Sequence, residues 1–230
     1  MTKAAILIII ALIVIVGIYT EMQRGNNLAA TAKRLGLEFK SGLHPIPAEL
    51  KGRGFDLLQQ GASEIGNRMT GPHSGRLVDV FDYSFDATAA GEGFKAHPAV
   101  DDQINIERRN QTVVSLQSRV SLPDFDISPA NTHMRSVAQR FGFLPIIMQN
   151  NKAFSQSYTL LANESEPVRR LFNADLQAFF LDHPGLVVEA RGDHLLCYRF
   201  GKRLKANEIA GFMQRVDELM QLLEAAPGAD

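Results

Sequence analysis

From Ala4 to Tyr19 every residue is apolar, aromatic or glycine (AAILIIIALIVIVGIY). An uninterrupted apolar run of that length, rich in β-branched residues, at a chain's beginning is foreign to a soluble domain and describes a membrane anchor. As a helix the run rises about 24 Å, a little short of a hydrocarbon core of about 30 Å. Met1, Thr2 and Thr20 extend it, and Lys3 can snorkel to the headgroups. A cleaved secretory signal is the rival. Against cleavage, Gly17 to Glu21 offers no small-x-small site, and no cysteine follows to accept lipoprotein processing. The expected organisation is therefore an anchor over residues 1–22 in contact with membrane lipid, followed by a soluble region. Lys3 precedes the span while Arg24, Lys33 and Arg34 follow it, which places the soluble region on the cytosolic side by the positive-inside rule.

The rest of the 230 residues has globular composition, with 45% hydrophobic and 21% charged residues. A formal net charge of −1 gives no field that would draw the molecule onto nucleic acid. Cys197, the single cysteine, excludes an intramolecular disulfide and any multi-cysteine zinc site.

Hydrophobic spacing predicts an α+β region. After a polar joint at Gln23 to Asn27, Leu28, Ala29, Ala32 and Leu35 form a short helix closed by Gly36. Gly- and Pro-rich loops follow from Ser41 to Gly54 and from Gly61 to Gly75. Leu77 to Phe85 and Thr112 to Val120 alternate as a pair of strands, separated by a polar excursion from Asp86 to Asn105. The chain turns at Leu122 to Pro129, with Ser128 as cap and Pro129 opening a helix that carries Met134, Val137, Ala138 and Phe141. Tyr158 to Ala162 reads as a strand, and Pro167 opens a helix whose stripe runs from Val168 to Phe180. Leu186 to Arg191 and His194 to Phe200 flank Gly192-Asp193 as a hairpin. A final helix runs from Asn207, its cap, to Leu223.

Both halves open with a helix ending in a basic, an apolar, a glycine and an apolar residue: Arg34-Leu35-Gly36-Leu37 and Arg140-Phe141-Gly142-Phe143. Short strands at Phe55 to Leu58 and Tyr158 to Leu161 continue the echo, so two similar lobes, 23–127 and 128–230, are one reading. The span, Arg34-Leu35-Gly36-Leu37-Glu38-Phe39, Phe81-Asp82-Tyr83, Gln111-Thr112-Val113-Val114 and Leu122-Pro123-Asp124-Phe125 together resemble a group of uncharacterised bacterial membrane-anchored proteins. The resemblance covers roughly residues 1–200 and implies a single-pass protein of the bacterial inner membrane. It brings no activity, cofactor or catalytic residue.

Candidate chemistry is sparse. His44, His73, His97, His133, His183 and His194 show no ligand spacing, and three of them precede proline, as turn residues do. Asp79, Asp82 and Asp86 lie near a strand end, but alternation puts Asp79 and Asp82 on opposite faces, so solvated edge residues are expected. Asp79 shares its face with Leu77, Phe81 and Tyr83 and needs a partner if buried, with Arg76 or Arg119 in reach. Gly61 to Arg68 (GASEIGNR) lacks the lysine and hydroxyl of a phosphate loop and reads as a turn. Cys197 reads as a core residue. No cofactor or metal site follows from any of these, and catalytic residues are not identifiable. Ile209, Phe212, Val216, Leu219 and Leu223 form the strongest amphipathic stripe, for packing on the domain or for a homodimer.

The function expected from this pattern is a membrane-tethered binding or scaffold module with a protein partner. One alternative is an enzyme with its site between the lobes under the 86–105 excursion. The other is a domain lying on lipid headgroups through Arg24, Lys33 and Arg34.

Overall fold

The computed structural model describes residues 3–59, 63–86, 108–130 and 142–226. The apolar run is helical, and the helix continues past it. α1 (Lys3–Leu35) is a single helix of 33 residues, about 50 Å long. The expected joint at Gln23 to Asn27 is absent. Glycine costs a helix about 1 kcal/mol, but Arg24 pairs with Asp82 just before Gly25, and Leu28 and Ala32 are buried just after it. Tertiary contact thus holds the weak stretch helical, and Gly36 (φ +71°) closes the helix as expected. From Ile6 to Tyr19 the large apolar side chains are exposed, which excludes a buried core helix. α1 is long and apolar enough to cross a membrane.

The remainder is α+β, as the spacing predicted. Among the described residues seven strands form one antiparallel sheet: β1 (Glu38–His44), β2 (Ser63–His73), β3 (Arg76–Asp86), β4 (Arg108–Pro129), β5 (Leu144–Ile146), β6 (Tyr158–Ala162) and β7 (Val187–Tyr198). The order is β1-β2-β3-β4-β6-β5, with β7 on the other edge of β4. β4 pairs β3 through Arg108 to Leu116, then β6 through Phe125 to Pro129, and β7 across both stretches. The β4–β7 ribbon is therefore a spine that carries β1-β2-β3 at one end and β5-β6 at the other. It passes through positions 127 and 128 without a break.

Several expected turns are strands. Leu122 to Pro129 belongs to β4, where Ser128 faces Thr159 and Pro129 faces Tyr158 rather than capping a helix. The helix expected after them, like the excursion beyond Asp86, lies outside the described residues. Ser63 to His73 is β2, not a loop. Its Gly66 sits in a bulged register against β1, where an added Cβ would lie 3.2 Å from the Gly42 carbonyl, so close backbone approach explains the glycine. Ser41 to His44 likewise belongs to β1. Gly192 adopts φ +58°, yet β7 keeps antiparallel register with β4 on both sides of it. The signal read as a hairpin is thus an irregularity in one strand, opposite a register shift in β4 between Gln117 and Leu122. Phe55 to Leu58 forms no strand; a 3-10 turn occupies Leu57–Gln59, so that step of the internal echo is missing.

The two faces of the sheet carry separate cores. On one, Val78, Val80, Val114, Leu116, Leu195 and Cys197 share a core with Leu28 and Ala32 of α1 and with the four shorter helices. These are α2 (Lys152–Ser157), α3 (Ser165–Leu171), α4 (Ala174–Asp182) and α5 (Ala206–Ala225). The stripe expected from Pro167 is split between α3 and α4, because Asn173 accepts a hydrogen bond from the Leu176 N–H at 3.0 Å and starts a new helix. Phe154, Tyr158, Phe172, Phe179 and Phe180 interlock beneath, the Phe172 and Phe180 rings stacked at 5.9 Å. α5 begins one turn-half earlier than expected, capped at Lys205, whose N–H donates to Glu208 at 2.7 Å. Ile209, Phe212, Val216, Leu219 and Leu223 are all buried against the chain's own sheet. That stripe leaves no exposed face for the homodimer considered above. On the other face of the sheet Phe81, Tyr83, Phe85, Leu196 and Tyr198 are covered by Leu50, Phe55 and Leu57.

Candidate functional site

Asp82 is the hub of a polar clamp between α1 and the sheet. Alternation puts its side chain on the α1 face of β3, next to Val80. Its carboxylate accepts two hydrogen bonds from Arg24, at 2.8 and 2.6 Å, and one each from Arg203, Asn67 and Thr112, all at 3.1 Å. Arg24 also donates to the Leu204 carbonyl at 2.8 Å, and Arg203 makes two hydrogen bonds to Glu21. Burial alone would raise the Asp82 pKa, but the arginine bonds and charges outweigh it and hold the carboxyl below its ordinary value. Asp82 is thus a part-buried, fully engaged anion, not a solvated edge residue. The clamp starts at Glu21, two residues after the apolar run ends, so almost no chain separates the candidate span from the folded region.

Beside the clamp lies a groove of about 630 Å³ between α1 and strands β1 to β3. Met22, Ala29, Phe39 and Leu43 give it an apolar wall, and Asn67, Asp82, Asn110 and Arg203 a polar one. β1 leaves the far end of α1 and returns along it. From Glu38 to Leu43 it covers about 17 Å, against about 20 Å from Met22 to Leu35 on the helix, which brings Leu43 level with Met22. Both are exposed, Leu43 at 69% and Met22 at 64%, and both belong to the groove's mouth beside the apolar run.

A second polar cluster is sealed in the opposite core. Glu189 is fully buried and accepts from the Tyr198 hydroxyl at 2.7 Å and from the Leu57 N–H at 3.1 Å. Burial, with the nearby charges of Asp126 and Asp56, raises its pKa to about 8. Arg191 pairs with Asp126 at 2.7 Å and lies 4.6 Å over the Phe143 ring. The cluster fixes the 54–57 segment to the sheet, since Arg191 also donates to the Gly54 carbonyl and Tyr83 to that of Leu57.

The residues singled out in the sequence are dispersed. Asp79 is buried, and its partner is Arg68, with Nε–Oδ1 at 2.6 Å, rather than Arg76 or Arg119; Arg76 pairs with Glu224, and Arg119 reaches the Ser74 carbonyl. Burial raises the Asp79 pKa, and the Arg68 hydrogen bonds oppose it. His73 meets Asp217 at 2.9 Å, His194 meets Asp193 at 2.8 Å, and His183 stacks on Phe179 at 4.3 Å. His44 is half-buried at the end of β1; His97 and His133 lie outside the described residues. Among the described residues no three His, Cys, Asp or Glu side chains converge as metal ligands. Cys197 is in the core, its thiol pKa pushed up by burial. Arg24 is committed to Asp82, and Lys33 and Arg34 lie on the last turn of α1, about 20 Å beyond the apolar run. Glu189, Asn67, Thr112 and Arg203 were not singled out, and the last three acquire their role only by meeting around Asp82.

The architecture is that of α+β proteins in which a long N-terminal helix packs on one antiparallel sheet. A solved structure shares it: the mycobacterial trehalose monomycolate transport factor A aligns with a TM-score of 0.61 over 88% of this chain and 96% of that one, at 14% identity. At that identity the likeness is one of fold. No protein-family model and no curated protein matches the sequence.

Proposed function

We propose that this is a membrane-tethered binding module of the bacterial inner membrane, whose groove beside α1 takes up one chain of a lipid-like amphiphile at the bilayer surface. The observation that carries it is the position of the clamp. Folded structure begins two residues past the apolar run, which supports a groove mouth, at Met22 and Leu43, close to the end of the candidate span. The groove's walls suit an amphiphile, with an apolar side along α1 and β1 and hydrogen-bonding groups opposite. The fold neighbour is by its name a trehalose monomycolate transport factor, which supports this reading. Among the described residues the strongly perturbed acid, Glu189, is enclosed in the core. We further assign the folded region to the cytosol on the cations flanking the span; a cysteine placed at exposed Glu49 in a Cys197→Ser chain should react with an impermeant maleimide only after the inner membrane is opened.

The sequence contains no tryptophan, so a Phe39→Trp chain carries a single reporter on the apolar wall. Phe39 lies about 13 Å up the strand from Leu43, beyond the reach of chains that remain in the bilayer. In nanodiscs containing lipids brominated on their acyl chains, its fluorescence should be quenched. An Ala29→Trp chain, which fills the same wall, supplies a second reporter. Unquenched emission from both would remove the lipid-chain reading.

A further inference from the structure

The flank of α1 turned away from β1 opens on the start of α5. Two ties hold the helices together there. Arg24 donates to the Leu204 carbonyl at 2.8 Å, and the Thr31 hydroxyl donates to the Ala206 carbonyl at 3.3 Å. Along these ties runs a second groove, of about 610 Å³, with Gln23 and Asn27 on its α1 side and Lys205 and Asn207 opposite. Among the described residues it shares no lining side chain with the groove beside β1.

Two cations separated by 171 positions meet in it. Arg34 donates to the Thr31 hydroxyl at 3.0 Å, and that hydroxyl is itself bonded to the Ala206 carbonyl, so the guanidinium stands one hydroxyl away from the start of α5, next to Lys205. Thr31 occupies one of the five N–H donors that a guanidinium carries. The neighbouring acids are directed elsewhere. Glu208 accepts from the Lys205 N–H at 2.7 Å and lies 3.6 Å from the Lys202 ammonium, while Glu21 accepts two hydrogen bonds from Arg203 on the other flank of α1. A planar donor fork beside a point charge on a flexible stem suits the oxygens of a phosphate, and the amides of Asn27 and Asn207 add further donors.

Depth decides where such a phosphate comes from. Tyr19 ends the apolar run and lines the groove, its hydroxyl accepting from Gln23 at 3.1 Å, so the lower end of the groove continues the surface of the candidate span. Arg24 lies about 7.5 Å further along α1, at the outer edge of a headgroup layer about 5–7 Å thick. Side chains of a helix lean toward its N-terminus, here toward the bilayer, and the Arg34 bond to Thr31 follows that direction. A lipid standing beside α1 can therefore raise its headgroup into the groove while its chains stay in the hydrocarbon. We infer that the groove between α1 and α5 is a site for the headgroup of an anionic phospholipid, with Arg34 and Lys205 holding its phosphate. The inference rests on α1 as the membrane tether and is independent of what fills the groove beside β1.

The full-length chain in mild detergent is titrated with an equimolar mixture of phosphatidylglycerol and phosphatidylcholine of matched chains, and the retained lipid is read by native mass spectrometry. A one-to-one adduct with phosphatidylglycerol should dominate. Arg34→Gln and Lys205→Gln should each weaken it about tenfold, as loss of one charge-assisted bond implies. Asn207→Glu should weaken it as well, by setting a carboxylate in the groove at a first-turn helix position that favours folding. Lys33→Gln, on the same turn as Arg34 but outside the groove, should change nothing. Equal retention of the two lipids, an adduct that Asn207→Glu leaves intact, or equal weakening by Lys33→Gln overturns the site, the last by showing diffuse attraction in its place. A chain that fractionates with membranes yet retains no phosphatidylglycerol overturns the site and leaves the tether standing.

Discussion

Removing the carboxylate of Asp82 should detach α1 from the sheet. The substitution Asp82→Ala deletes the acceptor for five hydrogen bonds and leaves Arg24 without its carboxylate, while Arg203 keeps only Glu21. Breaking a buried ion pair by removing one partner costs about 3–5 kcal/mol. The Arg24 and Asp82 side chains retain 16% and 11% exposure, which places the loss at the low end, about 3 kcal/mol. With a urea slope of about 2–3 kcal/mol per molar, the unfolding midpoint of the detergent-solubilised chain falls by about 1–1.5 M. Asp82→Asn keeps acceptor oxygen but not charge and should lose about half as much. The sign with pH follows from the depressed pKa. The native carboxyl titrates below the unfolded value of about 3.9, so its stabilisation is complete above that value and disappears as pH falls through the native pKa. The difference between wild type and Asp82→Asn should therefore hold from pH 6 to about pH 4 and shrink below it. Hydrogen exchange of the 21–27 amides in nanodiscs should quicken in the alanine variant. A midpoint unchanged within about 0.2 M, with unchanged exchange in that segment, would refute the clamp as the element that couples the span to the domain.

The buried acid Glu189, with its pKa raised to about 8, predicts the opposite pH behaviour. Between the ordinary glutamate value and pH 8 the folded state holds the extra proton, so wild-type stability should fall with rising pH, by up to about 1.4 kcal/mol per unit; Glu189→Gln should flatten that slope in urea unfolding at pH 5 to 8. Phe180→Ala, within the Phe154–Tyr158–Phe172 cluster, should cost about 3–5 kcal/mol by the same assay, while Leu144→Ala at an exposed edge position should stay within about 0.5 kcal/mol. Cys197 should resist maleimide in the native protein and react fully in denaturant, a contrast readable by mass spectrometry.

Local pattern carried a large part of the fold. The apolar run, the alternation over Leu77 to Phe85, the Tyr158 to Ala162 strand and the α5 stripe are periodic signals in contiguous residues, and each became the predicted kind of element. Punctuation was less faithful. Gly66 and Gly192 look like turns because glycine permits turns, yet here one admits a neighbouring carbonyl and the other an irregularity within a continuous strand. Leu195-Leu196-Cys197-Tyr198 is buried on both sides of the sheet, so its outward alternation disappears and its true length with it. The candidate site was the least legible part. Arg24, Asn67, Asp82, Thr112 and Arg203 are separated by up to 179 positions and have no shared spacing, so nothing local marks them as one clamp. The sequence by itself determined that a span-length apolar helix precedes an α+β region, because hydrophobic length and period are properties of neighbouring residues. Tertiary structure decided that the helix runs unbroken into the domain, where its charges go and which grooves open beside it, because each of those depends on side chains brought together only when the sheet closes on α1.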